Sequence, residues 1–485
     1  MIASSTELLG IVRQFNPWWA GSRFPDLPRW RRAIFRELEQ WANVPPGPTS
    51  RALLVNGARQ VGKTTLFLQI IDSLIERGAP AANILYATFD HPLLRLAGLE
   101  NVLRLWREQE PAADGPEYLF LDEIQFAPDW QIWLKHQVDF ERRRKIALTG
   151  SAVPLASGGQ ESGVGRWQTV RLATLSFHEF LQLRGTATPP LPRLESLRQL
   201  QGWSAADMAR VAADARPLVG HFHEYLLRGG FPQTAQVDTV TLAQRLLRED
   251  IVDKVLKRDM TALFGVRRVL ELEQVFLYLC LHDGGLLDVS ELCKRLELKR
   301  PTVGNFVSLL EAGHLIYRLL PHGYGKQVLR AQPKIYLADP AIAPSVLLKG
   351  KSLLEDQGAL ARAVESAVFK HLFTHYHARG ASFSYWRGTR DLEVDIVAEI
   401  EGRIIPFEVK YQARPQTTLR DLKGLSDLVA RRPVPIAYVL TRELSDFGLV
   451  AQAPVPILRI PAALACLWLG QIEFGQQDPG GFAEP

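Results

Sequence analysis

Gly57-Ala58-Arg59-Gln60-Val61-Gly62-Lys63-Thr64 sets two glycines, a lysine and a hydroxyl at the spacing G-x4-G-K-[ST]. Residue types in this order hold phosphate. The glycines let backbone N–H groups turn inward around phosphate oxygens, and a helix N-terminus adds its positive end. Lys63 is expected to reach the β- and γ-phosphates of ATP, and the Thr64 hydroxyl to hold Mg²⁺. Gln60, Val61 and Thr65 complete the cradle. Downstream, Tyr118-Leu119-Phe120-Leu121 runs into Asp122-Glu123, an apolar strand ending in two carboxylates. Asp122 is expected to hold Mg²⁺ through its waters, and Glu123 to orient and deprotonate the attacking water. Leu148-Thr149-Gly150-Ser151 ends another apolar run, which brings Ser151 (or Thr149) near the γ-phosphate as a polar sensor. Arg166 follows a glycine-rich stretch. It is a candidate to enter a neighbouring subunit's site and neutralise transition-state charge, the other reading being a surface arginine on a loop.

A second chemical constellation lies near the C-terminus. Glu393-Val394-Asp395 and Phe407-Glu408-Val409-Lys410 read as adjacent strands, and alternation puts Glu408 and Lys410 on one face. Asp395 can meet them, and Glu365 on the preceding helix can complete an oxygen-rich pocket. Hard carboxylates at Asp395 and Glu408 suit Mg²⁺ or Mn²⁺, with Lys410 orienting a water or stabilising a phosphate. Glu-x-Lys on a strand is also a common surface ion pair, and that reading stays open. His371 and His375, four apart on the helix, read as core or solvated histidines rather than ligands.

The elements that must carry these residues follow from periodicity. Leu53–Asn56, Asn83–Phe89, Tyr118–Leu121 and Lys145–Thr149 read as strands, and Thr64–Glu76 as a helix. That alternation predicts a parallel sheet covered by helices. Before it, Trp30, Ile34, Leu38 and Trp41 recur at helical steps until Pro45-Pro46-Gly47-Pro48 breaks the pattern. Helices Ser290–Leu296 and Pro301–Ala312 with a hairpin from Tyr317 to Tyr336 give a winged-helix pattern. Lys294, Arg295, Lys299 and Arg300 flank its second helix, suiting phosphate contact, although such modules also serve only as packing. After a polar linker come the helix Arg362–His377, strands Ser382–Arg387, Glu393–Glu399 and Ile404–Lys410, the helix Thr418–Leu428 and the strand Ile436–Leu440.

The domains expected are an aromatic and helical prelude at 1–45, an ATPase core at 46–185, a helical lid at 186–280, a winged helix at 281–345, a C-terminal α/β domain at 355–470 and a tail at 471–485. At 485 residues the chain is too long for one core. Its formal charge of +5 permits a nucleic-acid partner without requiring one. Three scattered cysteines carry no ligand spacing and fit reduced thiols. The N-terminus lacks a basic segment leading into an apolar run, and Pro461 to Leu469 is about half a membrane span. A cytoplasmic protein with no membrane contact is expected.

Phe15-Asn16-Pro17-Trp18-Trp19, Gly57–Thr65, Leu121-Asp122-Glu123-Ile124-Gln125, Leu148–Ser151, Gly165-Arg166, Leu175-Ser176-Phe177-His178-Glu179-Phe180 and Gly229-Gly230-Phe231-Pro232 together resemble a bacterial and archaeal family of AAA+-type P-loop ATPases (the DUF4143 type). The resemblance implies a P-loop core followed by a winged-helix region and a nuclease-like C-terminal domain. It places Gly229–Pro232 in a helical lid over the nucleotide, with Arg228 as a second sensor. The order Glu…Asp…Glu-x-Lys resembles the PD-(D/E)XK nuclease fold, whose catalytic positions carry over as Glu365, Asp395, Glu408 and Lys410. Val394 stands where that fold's proline would, a position that varies. The expected protein is a Mg²⁺-dependent ATPase that assembles as a homo-oligomeric ring (a hexamer), acts on DNA by remodelling or translocation, and carries a nuclease-like domain. The competing expectation is a nucleotide-operated switch that binds a protein partner and has an inactive nuclease-like fold.

Overall fold

Leu53, Leu54 and Val55 are buried on both faces of the strand Ala52–Asn56 (β1), and this continuous apolar run, where side chains would otherwise alternate in and out, belongs to the centre of a parallel sheet. The computed structural model describes residues 4–47, 50–151, 165–323, 328, 331–377, 379–388, 392–413 and 418–475. The glycine-rich stretch before Gly165 and the tail beyond residue 475 fall outside them. The chain forms two compact units, Met1–Leu172 and Ala173–Pro485.

In the first unit, β1 is flanked by Arg144–Gly150 (β4) and Trp167–Arg171 (β5), and the sheet continues through Glu117–Asp122 (β3) to Ile84–Thr88 (β2). Every pairing is parallel, in the order β2-β3-β4-β1-β5. The carboxyl ends of β1, β3 and β4 therefore open side by side, where side chains from loops of different strands can meet. The helix Lys63–Glu76 follows β1 and packs Leu66, Phe67, Ile70 and Leu74 inward at three- and four-residue steps. Its Phe67 meets Phe120 of β3 edge to face at 5.3 Å.

β2 is an edge strand, and the aromatic prelude covers it. Asn16 Nδ2 donates to Tyr86 O at 2.8 Å, and the Tyr86 N–H donates to Asn16 Oδ1 at 2.7 Å, so one side chain stands in for a neighbouring strand. The indole N–H groups of Trp18 and Trp19 both reach Ile84 O. Open backbone groups that would otherwise invite another strand are thus occupied. The helix before β1 is shorter than its periodicity suggests, Phe35–Asn43, with Phe35, Leu38 and Ala42 buried. Trp30 lies upstream of it, where its carbonyl accepts from Gln69 in the neighbouring helix.

The second unit begins with helices between Phe177 and Leu281 and ends in a sheet of eight strands. In chain order these are Ile316–Pro321 (β6), Lys334–Leu337 (β7), Ser382–Arg387 (β8), Glu393–Ile400 (β9), Arg403–Lys410 (β10), Ala437–Thr441 (β11), Gly448–Leu449 (β12) and Ile457–Pro461 (β13). Their order across the sheet is β12-β13-β11-β10-β9-β8-β6-β7. The hairpin β6–β7, expected as the wing of a separate module, continues this sheet through Leu320↔Ser384 and Pro321↔Tyr385. No sheet boundary therefore separates 281–345 from 355–470. The segment Pro461 to Leu469 lies mostly in the helix Ala462–Gly475, buried from Ala462 through Gly470. Among the described residues no helix is long and apolar enough to cross a membrane.

Candidate functional site

The loop after β1 owes its path to backbone that few residues tolerate. Gln60 stands at φ 60° and Gly62 at φ 97°, the left-handed entry to the helix Lys63–Glu76. A Cβ at Gly57 would lie 2.2 Å from the Leu172 carbonyl oxygen, so only glycine fits there. Lys63 is 4% exposed, and its Nζ donates to Gly57 O at 3.1 Å and Ala58 O at 2.9 Å. Gln60 Oε1 is buried with no hydrogen-bond partner among the described residues.

Asp122 receives hydrogen bonds from three hydroxyls on three different elements. Thr64 Oγ1 donates to Oδ2 at 2.7 Å, Tyr86 Oη to the same oxygen at 2.8 Å, and Thr149 Oγ1 to Oδ1. Thr149 also accepts the Glu123 N–H at 3.0 Å. Burial pushes the Tyr86 hydroxyl well above its ordinary pKa, and the Asp122 charge pushes it further, so it stays a donor. A threonine hydroxyl beside a fixed carboxylate is a hard-oxygen pair that fits Mg²⁺.

Glu123 sits at φ 50°, a left-handed conformation unusual for a non-glycine residue. Its Oε2 accepts from Ser151 Oγ at 2.7 Å and from Gln125 Nε2, while Oε1 lies 3.8 Å from Lys63 Nζ. Burial raises this carboxyl, but Lys63, Ser151, Gln125 and Arg59 outweigh it and hold the pKa below the usual value. Glu123 is thus ionised at neutral pH and aimed by two donors, the state a proton acceptor needs. Gly57, Gln60, Val61, Gly62, Lys63, Thr64, Thr65, Asp122, Glu123 and Ser151 all lie on the loop after β1, the start of its helix, or the ends of β3 and β4.

Arg166 makes a two-pronged ion pair with Asp139, at 3.0 to 3.1 Å. Arg228 is 5% exposed and committed to Glu224 and to the carbonyls of Val237 and Asp238, which ties together the ends of short helices in the second unit. Gly229 and Gly230 pack closely, since a Cβ would meet Asp339 Oδ1 at 2.4 Å and Leu175 O at 2.6 Å.

The C-terminal constellation does assemble. Glu365, from the helix Gln357–His377, and Asp395 of β9 share a pocket with Glu408 and Lys410 of β10. Asp395 Oδ2 accepts the Val409 N–H at 2.9 Å, and Lys410 Nζ lies 2.5 Å from Glu408 Oε1. One further member comes from outside the expected set. Lys334 of β7, 2% exposed, sends its Nζ to Glu365 Oε1 at 3.0 Å, Glu393 Oε1 at 2.8 Å and Asp395 Oδ1 at 2.9 Å. Tyr336, on the same face two residues on, donates to Glu365 Oε1 at 2.6 Å. Burial works against the Lys334 ammonium, but Asp395, Glu365 and Glu393 hold its pKa well above the ordinary value. Burial raises Glu365 to about 7 and Glu408 to about 8, whereas Lys334 and Lys410 keep Asp395 low.

A divalent ion does not fit this pocket as it stands. An ammonium already occupies the point where Glu365, Glu393 and Asp395 converge, and Glu408 is taken up with Lys410. Among the described residues the second oxygen of that carboxyl, Glu408 Oε2, is buried without a hydrogen-bond partner. Among the described residues no group of three or more His, Cys, Asp or Glu side chains is arranged to hold a metal ion without moving Lys334 or Lys410 aside. The two carboxylates expected to hold a metal, Asp395 and Glu408, are paired here with Lys334 and Lys410 respectively. Lys334 heads the apolar run Ile335-Tyr336-Leu337, a pattern that in sequence reads only as wing.

His371 is a core residue: its Nε2 accepts the Phe177 N–H at 2.8 Å, and burial holds its pKa well below the usual value. Burial likewise brings His375 down to about 3. Lys294, Arg295, Lys299 and Arg300 are exposed around the junction of helices Val289–Leu296 and Arg300–Ala312, with Arg295 paired to Glu291 at 2.6 Å.

Residues 49–181 match the model of an AAA domain, 219–353 match a domain of unknown function (DUF8612), and 360–460 match another (DUF4143). An uncharacterized protein of Haemophilus influenzae is 26% identical over 375 residues, spanning 75% of this chain and 83% of its own. An uncharacterized protein of Mycobacterium tuberculosis is 26% identical over 388 residues, 78% of this chain and 75% of its own. One from Methanocaldococcus jannaschii is 22% identical over 377 residues, 76% and 77% respectively. Among solved structures, a point variant of Thermotoga maritima RuvB aligns at 14% identity with TM-score 0.26, covering 64% of this chain and 89% of its own. AMPPCP-bound DnaA from Aquifex aeolicus aligns at 16% with TM-score 0.24, covering 57% and 86%. The match to an AAA domain thus falls mostly on the first unit, which holds the P-loop.

Proposed function

We propose that this chain hydrolyses ATP at the carboxyl ends of β1, β3 and β4 and directs that reaction to work on DNA. The observation that carries the ATPase reading is Thr64 Oγ1 at 2.7 Å from Asp122 Oδ2, beside a Glu123 carboxylate oriented by Ser151 and Gln125. Thr64 and Asp122 would hold Mg²⁺, which would offset the charge of the terminal phosphates. Lys63 exchanges the loop carbonyls of Gly57 and Ala58 for phosphate oxygens. Glu123 takes a proton from water as the water oxygen bonds to the γ-phosphorus. The bond to the β-bridging oxygen breaks, and ADP leaves with its electron pair. Arg166, in a homo-oligomer, exchanges Asp139 for a neighbour's γ-phosphate. Arg166→Ala then lowers turnover at unchanged ATP affinity, and unchanged turnover would return it to a structural ion pair.

The exposed cations at the head of the helix Arg300–Ala312 support DNA as the partner. Affinity for duplex DNA should fall with salt at a slope of about −0.9 per phosphate contact, and Lys299→Glu with Arg300→Glu should flatten that slope. A nucleotide-operated switch with a protein partner is the second reading, favoured by the carboxylate pocket in which Lys334 pairs with Glu365 and Asp395. ATP turnover with and without DNA separates the two: stimulation supports work on DNA, and indifference supports the switch.

A further inference from the structure

We infer that Lys334 is the resident cation of the C-terminal carboxylate pocket, so that this pocket works without a metal ion and fastens the β6–β7 hairpin to the helix Gln357–His377 and to β9. Four acidic side chains, Glu365, Glu393, Asp395 and Glu408, crowd into one place, and crowded buried carboxylates need positive charge. Two ammonium groups supply it. Lys410 serves Glu408, and Lys334 sits within 3.0 Å of three separate carboxylates.

The contacts of Lys334 are those a divalent ion would otherwise make with the same oxygens. They come from three elements: β7 brings the lysine, the helix brings Glu365, and β9 brings Glu393 and Asp395. Tyr336 adds a second tie from β7 to Glu365, and its ring stacks on Phe369 of the same helix at 4.6 Å and 12°. A lysine that only neutralised surface charge would be solvated; this one is 2% exposed and lies within 3.0 Å of three carboxylates.

Removing the ammonium should open a cation site. The test counts Mn²⁺ bound by the full chain without nucleotide, by electron paramagnetic resonance. An Asp122→Asn background removes the carboxylate beside Thr64 in the ATP site. With Lys334 present, no Mn²⁺ should bind at the pocket. Lys334→Met should gain one Mn²⁺, with affinity at least about tenfold above the background, because one repelling charge at contact distance is worth that factor or more. Adding Asp395→Asn should abolish the gain, and Lys334→Arg should bind none. One Mn²⁺ bound with Lys334 in place, and lost on Asp395→Asn, would overturn the inference. So would a Lys334→Met chain that melts cooperatively yet gains no ion. If Lys334→Met fails to fold, the background count and Lys334→Arg still decide. Neither result bears on ATP hydrolysis, which is read from the other unit.

Discussion

Glu123→Gln keeps the shape of the side chain and removes its charge, which isolates proton acceptance from everything else the site does. In the structure Glu123 Oε2 is held by Ser151 at 2.7 Å and by Gln125, and a glutamine oxygen can accept the same two bonds. What is lost is the base, and a positioned base contributes about 10²–10⁴ in rate, equivalent to roughly 2.7–5.5 kcal/mol. A second consequence comes from Lys63, 3.8 Å from Glu123 Oε1. At an effective dielectric near 20 that pair is worth at most about 4 kcal/mol, and lost hydration offsets much of it. Without Glu123's charge the ammonium is freer for phosphate, so ATP affinity should hold or rise by up to about tenfold. Single-turnover hydrolysis and ATP titration on one preparation measure both quantities. Turnover within about tenfold of the wild type would show that Glu123 is not the base. Loss of ATP binding would show that the carboxylate holds the loop together instead.

Other outcomes follow from the same geometry. Gly57→Ala forces a Cβ to within 2.2 Å of Leu172 O, so the loop must shift; ATP binding should vanish and stability drop by about 1–3 kcal/mol, readable by melting and titration. Asn16→Ala strips the Tyr86 N–H and carbonyl and the Val12 carbonyl of their partner, and chemical denaturation should show a loss of about 1–3 kcal/mol. Asp283 is buried, and burial raises its pKa to about 6. A carboxyl raised on folding binds its proton more tightly when folded, so it lowers stability as pH rises from about 4 to 6. Asp283→Asn should flatten that part of the stability profile, and an unchanged profile would refute the assignment.

The sequence carried the ATP site because its chemistry is local. G-x4-G-K-T and the apolar strand ending in Asp122-Glu123 each state residue, spacing and element at once, and β1, β3 and β4 then bring them together. Tyr86 is not legible as a partner of Asp122, since nothing in a strand of apolar neighbours says that one hydroxyl crosses to the next strand. The C-terminal pocket is half legible. Alternation foretells the shared face of Glu408 and Lys410, but Lys334 arrives from a hairpin 61 residues before Asp395, and only sheet continuity through β6 and β8 explains its approach. Arg228, a second sensor only by family resemblance, donates in the structure to Glu224 and to the carbonyls of Val237 and Asp238, partners that no local pattern announces.

The most direct measurement is ATP turnover by the purified chain with Mg²⁺, taken beside Lys63→Ala and across duplex, single-stranded and branched DNA. Hydrolysis is expected from the wild type, none from Lys63→Ala, and a rise with at least one DNA form. A chain that neither binds nor hydrolyses ATP, or a Lys63→Ala variant that turns over like the wild type, would contradict the assignment of this site.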